Sequence, residues 1–194
     1  MLISGTDLTN IPILGLQTGS ELAVIESEIV NPHNLSIVAF ELTGQLLDNP
    51  LSLLRVEDIR EFSQIGMIVD SSDEFVQPDD VIKLKPIYDL HFSLKDKQVL
   101  SEKRNKLGKV MDYIIDSDSF VIQQIVVRRP LLKSFNDSEL LIHRSQVIEV
   151  TDEAIVIKEK AHSTVMPITK NGHSYINPFR QQSPQTDISH NSQD

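Results

Sequence analysis

The chain has 194 residues, a formal net charge of −10 at pH 7, and neither cysteine nor tryptophan. The absence of cysteine excludes disulfide frameworks, thiolate metal sites and cysteine nucleophiles. The first ten residues carry neither a basic region nor a continuous apolar core, and no apolar run approaches the roughly 20 residues that cross a bilayer. We therefore expect a cytoplasmic protein without a membrane span.

The acidic excess is confined to the first part of the chain. Residues 1–85 hold 4 basic and 14 acidic side chains, whereas residues 86–160 hold 12 of each. Because an acidic surface repels nucleic-acid phosphates and anionic lipids, such partners are disfavoured for the first part. We therefore expect the two parts to face different partners.

Short strands separated by turns follow one another through the first 76 residues. Apolar residues alternate over Leu22–Leu42, and the break at Asn31–Asn34 marks the turn of a β-hairpin. Five or six strands within roughly 60 residues is the spacing of an all-β fold and not of alternating strands and helices. We assign residues 1–76 to a first β-module, with residues 1–10 as a polar lead-in.

Residues 77–96 have a different pattern. Pro78, Asp79 and Asp80 are typical of a helix start, because carboxylates near the first turn suit the helix dipole. The apolar residues of 81–84 then allow a short helix, and Pro86 is expected to limit its length. The sequence thus predicts a connector that contains a short helix.

The hairpin pattern occurs a second time, 85 positions later, with its turn at Asp116–Ser119. At this offset Val110 aligns with Ile25, and beyond the hairpin the offset becomes 88, where Ile142 aligns with Leu54. Apolar positions fall on apolar positions and the turn falls on the turn. This spacing predicts a tandem duplication of one small β-fold.

The second module is assigned to residues 97–160, and the composition changes after it. Residues 161–194 are rich in Ser, Asn, Gln, Pro and His and contain few aliphatic side chains, so we predict a disordered tail. The predicted fold class is all-β, with two small barrels in tandem, a short helical connector and the tail.

Four residues of the second hairpin form a recognisable set. Gly108 precedes a lysine, Val110 and Asp112 follow within the same strand, and Asp116 stands at the turn. Gly108 suits a place where two backbones approach closely, and an aspartate at a turn accepts hydrogen bonds from nearby donors. This set resembles the signature of the PRC-barrel, the small β-barrel named after the cytoplasmic part of the photosynthetic reaction-centre H subunit.

The resemblance covers residues 97–160, and the first module shares only its spacing. Ala23, Val24 and Ser27 stand where the signature has glycine, a basic residue and aspartate. The resemblance implies two PRC-type barrels in tandem. The same barrel occurs in the C-terminal half of the ribosome maturation factor, and domains of this type with a known role mostly bind proteins.

The function implied is that of a non-enzymatic interaction or adaptor module. The alternative is an RNA- or ribosome-associated factor of the maturation type that contacts its target through the second barrel. An enzyme would need a cluster of perturbed ionisable groups, and the sequence offers none. The six histidines lack metal-ligand spacing and no nucleotide-binding glycine loop occurs, so we predict no catalytic residues, metal or cofactor.

Two groups of basic residues form the candidate interaction surface. One lies at the opening of the second hairpin, and the other is expected past its far end. The sequence therefore does not require the two groups to form a single patch. A solvated face is the alternative to binding RNA or an acidic protein, and no aromatic residues are interleaved for base stacking. We expect a protein partner, and leave ribosome or RNA binding and a homodimer open. The groups are Lys103, Arg104, Lys106 and Lys109, and Arg128, Arg129, Lys133 and Arg144.

Overall fold

The structure is a computed structural model that describes residues 1–129 and 139–158. It is an all-β fold, as predicted, with fourteen strands in one mixed sheet. The helical elements among these residues are short. They are the 3-10 turns Gly5–Leu8, Val56–Asp58, Ser72–Glu74, Pro78–Asp80 and Arg144–Gln146, and the α-helix α1, Lys85–Tyr88.

The strands fall into two sets with the same internal order. The strands are β1 Leu2–Ser4, β2 Pro12–Gly15, β3 Glu21–Asn31, β4 Ser36–Thr43, β5 Ser52–Arg55, β6 Glu61–Ser63, β7 Gly66–Val69, β8 Phe75–Val76, β9 Gln98–Ser101, β10 Lys106–Asp116, β11 Val121–Arg128, β12 Glu139–His143, β13 Val147–Val150 and β14 Ala154–Ile157. In the first set, which we call the N-terminal repeat, the order across the sheet is β6-β7-β2-β3-β4-β5. In the second set, the C-terminal repeat, it is β13-β14-β9-β10-β11-β12.

The two repeats also agree in register. Phe40 of β4 faces Leu54 of β5, and Ile125 faces Ile142 at the equivalent place, which reproduces the offsets of 85 and 88 residues. Both central hairpins have register shifts at equivalent positions. Because strand register is set by which side chains face the core, the repeated apolar spacing produced the same pairing twice. The predicted duplication is therefore present in the strand pairing.

Closure of each repeat into a separate barrel, the finer part of the prediction, is not confirmed, because the sheet is open. Among the described residues, β5 does not pair with β6 and β12 does not pair with β13; a 3-10 turn separates the two strands in both cases. The outer edge of β5 pairs with β8 instead, with Leu53 opposite Val76. The described strands therefore form one continuous open sheet.

The repeats join where the tips of their two long hairpins meet. Ser36 of β4 pairs with Val121 of β11, the Ile37 amide donates to the Phe120 carbonyl, and the Ile122 amide donates to the Leu35 carbonyl, both at 2.9 Å. Each of these residues is 85 positions from its equivalent, so each hydrogen bond has a symmetric counterpart. This arrangement is an internal pseudo-two-fold axis, the same symmetry that relates the subunits of a dimer.

Each hairpin tip packs into the opposite repeat. The Phe120 ring stacks on Phe62 with centroids 6.2 Å apart and meets Phe40 edge-on at 5.8 Å. At the equivalent tip, Leu35 is buried and lies beside Val147 and Val150 of the C-terminal repeat. The main hydrophobic core consequently contains residues of both repeats and is continuous between them.

The first ten residues are more structured than the predicted lead-in. Strand β1 pairs antiparallel with β10, placing Leu2 opposite Asp116 and Ser4 opposite Ile114. The N-terminus of the chain thus adds a strand to the C-terminal repeat, although the predicted division placed it in the first module. A pairing between residues more than 100 positions apart leaves no local pattern in the sequence.

The connector holds its helix later than predicted. Pro78–Asp80 is a 3-10 turn closed by reciprocal hydrogen bonds between Gln77 and Asp80, whereas α1 begins at Lys85. Pro86 lies in the first turn of α1, where its missing amide leaves no hydrogen bond unmade, so it starts the helix and does not end it. No helix among the described residues is long and apolar enough to span a bilayer. The predicted tail, residues 161–194, lies outside the described residues.

Candidate basic interaction groove

Four of the eight predicted basic residues surround one groove on the C-terminal repeat. Lys106 and Lys109 belong to β10, Arg128 ends β11 and Arg129 follows it. Together with Asp96, Gln98, Gly108, Val110 and Met111 they line a cavity of about 450 Å³. We call this site the basic groove, and it unites members of both predicted basic groups.

The hairpin register brings the two groups together. Lys109 and Arg128 are direct neighbours across β10 and β11, even though 19 positions separate them in the chain. The prediction that the second group lies past the far end of the hairpin was wrong, because both open ends of a hairpin lie on the same side, opposite its turn. Counting outward from Asp118 and Ser119 pairs Lys109 with Arg128, so this signal was available in the sequence.

Gly108 shapes the floor of the groove. A Cβ atom at this position would lie 2.1 Å from the Arg128 carbonyl oxygen and 2.8 Å from Cγ1 of Val127. The side-chain amide of Gln98 donates to the Gly108 carbonyl. β10 shifts register against β9 between Lys106 and Gly108, a bulge that directs neighbouring side chains outward. Glycine is therefore required for the close approach of β10 and β11.

The groove has a positive electrostatic character. The side chains of Lys106, Lys109 and Arg128 are exposed and that of Arg129 is half-buried. Within the described part of the chain these four form no ion pair, and Asp96 is the carboxylate that lines the cavity. Unpaired guanidinium and ammonium groups bind carboxylates and phosphates, and the planar guanidinium does so with two parallel hydrogen bonds. The groove can therefore hold an anionic group.

The other predicted basic residues have separate positions. Lys103 and Arg104 occupy the turn between β9 and β10, and Arg104 lies 3.8 Å from the carboxylate of Glu149. Arg144 is at the opposite end of β12 and donates to the Asn34 carbonyl of the N-terminal repeat at 3.0 Å, so it joins the two repeats. Lys133 lies outside the described residues.

The two signature aspartates hold β1 in place. Ser4 and Thr6 donate their hydroxyl hydrogens to Oδ2 of Asp112, the latter over 2.8 Å. Asp116 accepts from the Ser119 hydroxyl at 2.8 Å and lies 3.3 Å from the N-terminal ammonium group, and these two partners lower the pKa of its carboxyl. Val110, the fourth signature position, is buried in the core. Asp112 and Asp116 therefore hold β1 in place, and neither of them lines the basic groove.

One tyrosine hydroxyl is buried in the core. Tyr113 is fully buried, its ring lies against Gly5, and its hydroxyl lies near the carboxylate of Glu28. Burial, and then the negative charge of Glu28, raise the pKa of Tyr113, so the phenol stays protonated. The residues that the structure describes contain no cluster of three or more histidine, aspartate or glutamate side chains that could hold a metal ion.

None of the protein-family models matches the chain, and the search of curated proteins found no similar sequence. The functional argument therefore depends on the groove and its surroundings.

Proposed function

We propose that this protein is a non-enzymatic interaction module whose basic groove binds an acidic segment of a partner protein. The observation that carries the proposal is the convergence of Lys106, Lys109, Arg128 and Arg129 on one cavity without neutralising ion pairs among the described residues. Four basic side chains around one cavity create a positive potential that attracts an anionic partner. An extended acidic peptide supplies several carboxylates for such a site.

We also propose that the fold is that of a tandem PRC-barrel protein, with residues 1–76 and 97–160 as modules and 77–96 as connector. The duplicated strand order and the glycine at the β10–β11 approach support this proposal. An adaptor role in the cytoplasm is consistent with it. The lysine and arginine side chains of the groove are suited to binding an anionic segment.

The alternative is an RNA- or ribosome-associated factor that uses the same groove for phosphates. Its support is the pair of arginines, Arg128 and Arg129, because guanidinium groups bind phosphate well. Among the described residues, no phenylalanine, tyrosine or histidine lines the groove, so this part of the chain offers unpaired bases no aromatic stacking surface there. This difference favours the acidic protein segment.

A binding experiment separates these two ligands. Fluorescence anisotropy measures the affinity of the full chain for a labelled oligoglutamate peptide and for a labelled single-stranded RNA of equal charge. We expect the double variant Lys109→Glu/Arg128→Glu to weaken peptide binding by about a hundredfold, because two contacts become repulsive. Lys83→Glu/Lys85→Glu is the matched control, since it changes the net charge equally in the connector and should leave the affinity unchanged.

The outcomes decide the proposal. Peptide binding that depends on the groove residues supports it. Tighter binding of the RNA, with the same dependence, would replace it by the RNA alternative. Equal loss of binding in the control variant would show that net charge alone drives the association and would refute a specific groove.

A further inference from the structure

The pseudo-two-fold symmetry reveals one sheet edge that is filled in one repeat and open in the other. In the C-terminal repeat, β1 pairs with β10 so that Ser4, Ile3 and Leu2 face Ile114, Ile115 and Asp116. The equivalent edge of the N-terminal repeat is Ile29–Asn31 of β3, 85 positions earlier. Within the described residues, β3 pairs with β4 over Val24–Asn31 and with β2 only over Glu21–Val24, so Ile29–Asn31 has no strand neighbour on its other side.

The chain segment equivalent to β1 cannot fill this edge, because it is helical. Ile87 lies 85 positions after Leu2, yet it belongs to α1, whose first turn contains Pro86. A proline has no amide to donate to a strand ladder and its fixed backbone angle suits the first turn of a helix. The helix contacts β3 through side chains, and no backbone hydrogen bond joins them among the described residues.

A cavity of about 280 Å³ lies between this edge and α1. Ile29, Val30, Tyr88 and His91 are among its lining residues, and the rings of Tyr88 and His91 are 5.6 Å apart. An unpaired strand edge beside an open cavity is the geometry in which a peptide adds as a further strand. The amide and carbonyl groups of the edge supply the affinity, and the pockets beside it supply the selectivity.

The charge of this cavity differs from that of the basic groove. Its lining includes the carboxylates of Glu28 and Glu41, and no lysine or arginine from the part of the chain that the structure describes. In the C-terminal repeat, the carboxylate of Asp112 accepts hydrogen bonds from the hydroxyl groups of Ser4, at the end of β1, and of Thr6, just after it. The position equivalent to Asp112 is Ser27, which donates its hydroxyl to Glu41, so Glu41 provides the carboxylate here. A cationic side chain is the complementary partner for it.

We propose that the edge of β3 at Ile29–Asn31 accepts an extended segment of a partner protein as an added antiparallel strand, with a lysine or arginine opposite Ile29 that reaches Glu41. The strand β1 is the model for its register: the residue opposite Val30 is aliphatic, as Ile3 is opposite Ile115. This site goes beyond the proposed function, because it has the opposite charge and lies on the other repeat. The protein then has two docking sites with opposite charge preferences.

A synthetic peptide based on β1 tests this register. The probe is MLIKGT, the first six residues of the chain with lysine in place of Ser4, and the control is MLIEGT. Hydrogen exchange followed by mass spectrometry measures amide protection in the full chain, and isothermal titration calorimetry measures affinity. We expect MLIKGT to protect amides within residues 27–32 and to bind about five- to tenfold more tightly than MLIEGT.

The variant Glu41→Gln sharpens the test, since its amide oxygen can still accept from Ser27. We expect this substitution to reduce the preference for lysine to within about twofold while the melting temperature stays unchanged. Three results would each overturn the proposal: absence of protection at residues 27–32, protection only at 114–116, where the peptide would replace β1, or an unchanged preference in Glu41→Gln.

Two occupants from the protein itself are also distinguished. A dimer in sedimentation velocity that is lost when residues 1–4 are deleted would mean that a second copy fills the edge. Weaker protection of residues 27–32 after deletion of residues 161–194 would mean that the chain's own C-terminal segment fills it. Either result would replace the proposed partner, whereas a monomer with an unprotected edge in both samples supports it.

Discussion

The two repeats share a backbone plan and differ in the side chains placed on it. The strand opening that holds Ala23 in the N-terminal repeat holds Gly108 in the C-terminal one, and Ser27 is replaced by Asp112 at equivalent bulges. Asp112 accepts hydrogen bonds from Ser4 and Thr6 beside β1, and Gly108 allows the close approach of β10 and β11 at the basic groove. The comparison teaches that the shared core spacing gives both repeats the same strand pairing, while a few positions at bulges and edges give each repeat different surroundings.

The largest expected effect tests whether the repeats share one core. Ile125 is fully buried in the core common to both repeats. Ile125→Asp should unfold the entire chain, because an uncompensated charge in the core costs several kcal/mol, at least about 4. Circular dichroism and hydrogen exchange would show loss of protection in β3 and β4 as well as in β10 and β11. The control Ile148→Asp, at a half-exposed site in β13, should remain folded. Retained protection in the N-terminal repeat alone would indicate independent units.

The hairpin tips give the next largest effect. Phe120→Ala should lower the free energy of unfolding by about 3–5 kcal/mol, because it empties the contact with Phe40 and Phe62 across the axis. The equivalent change Leu35→Ala should cost less, about 2–3 kcal/mol, since the smaller side chain leaves a smaller cavity. Urea denaturation measures both. Equal values below about 1 kcal/mol would show that the tips do not hold the repeats together.

The positions of Gly108 and Ala23 test the difference between the hairpins. Gly108→Ala should destabilise the protein by about 1–3 kcal/mol, because the new Cβ overlaps the Arg128 carbonyl. Ala23→Gly, the reciprocal change at the equivalent position, should cost about 1 kcal/mol through the added backbone entropy of the unfolded chain. Thermal unfolding of both variants checks the order. A neutral Gly108→Ala would contradict the close approach of β10 and β11.

The smallest effect concerns the contribution that one ion pair of the N-terminal repeat makes to stability at acid pH. Arg60 forms an exposed ion pair with Asp70 that lowers the pKa of Asp70, whereas the C-terminal equivalents are Ile148 and Lys158. A lowered pKa in the folded state means that the pair stabilises above the ordinary carboxyl pKa of about 4 and loses this contribution as the pH falls through the folded value. Asp70→Asn should therefore slightly flatten the loss of stability between pH 5 and pH 3. Melting temperatures across this range measure it, with Asp152→Asn as the control, and an unchanged slope would contradict the pair.

The strands and their duplication could be predicted because they depend on local alternation and fixed spacing. The pairing of Phe40 with Leu54 and of Ile125 with Ile142 follows from those patterns. The meeting of Lys109 with Arg128 was also predictable, since two residues equally far from a turn face each other. The prediction failed there because it placed the start of β10 and the end of β11 at opposite ends of the hairpin.

Other features could not be predicted because they arise from contacts distant in sequence. Nothing near Leu2 indicates that it will lie beside Asp116. Nothing in either hairpin turn indicates that each tip will pack against the other repeat. The strand β8 likewise pairs with β5 and not with a strand next to it in the sequence. Pro86 was assigned to the end of a helix, since a proline's position within the turn depends on where the helix begins.

Differential scanning calorimetry of the full chain tests the central claim most directly, which is that the two repeats form one unit around a pseudo-two-fold axis. The account predicts a single transition whose calorimetric and van't Hoff enthalpies agree, and Phe120→Ala should lower its temperature without splitting it. Two separable transitions in the unmodified protein, each assignable to one repeat, would contradict it.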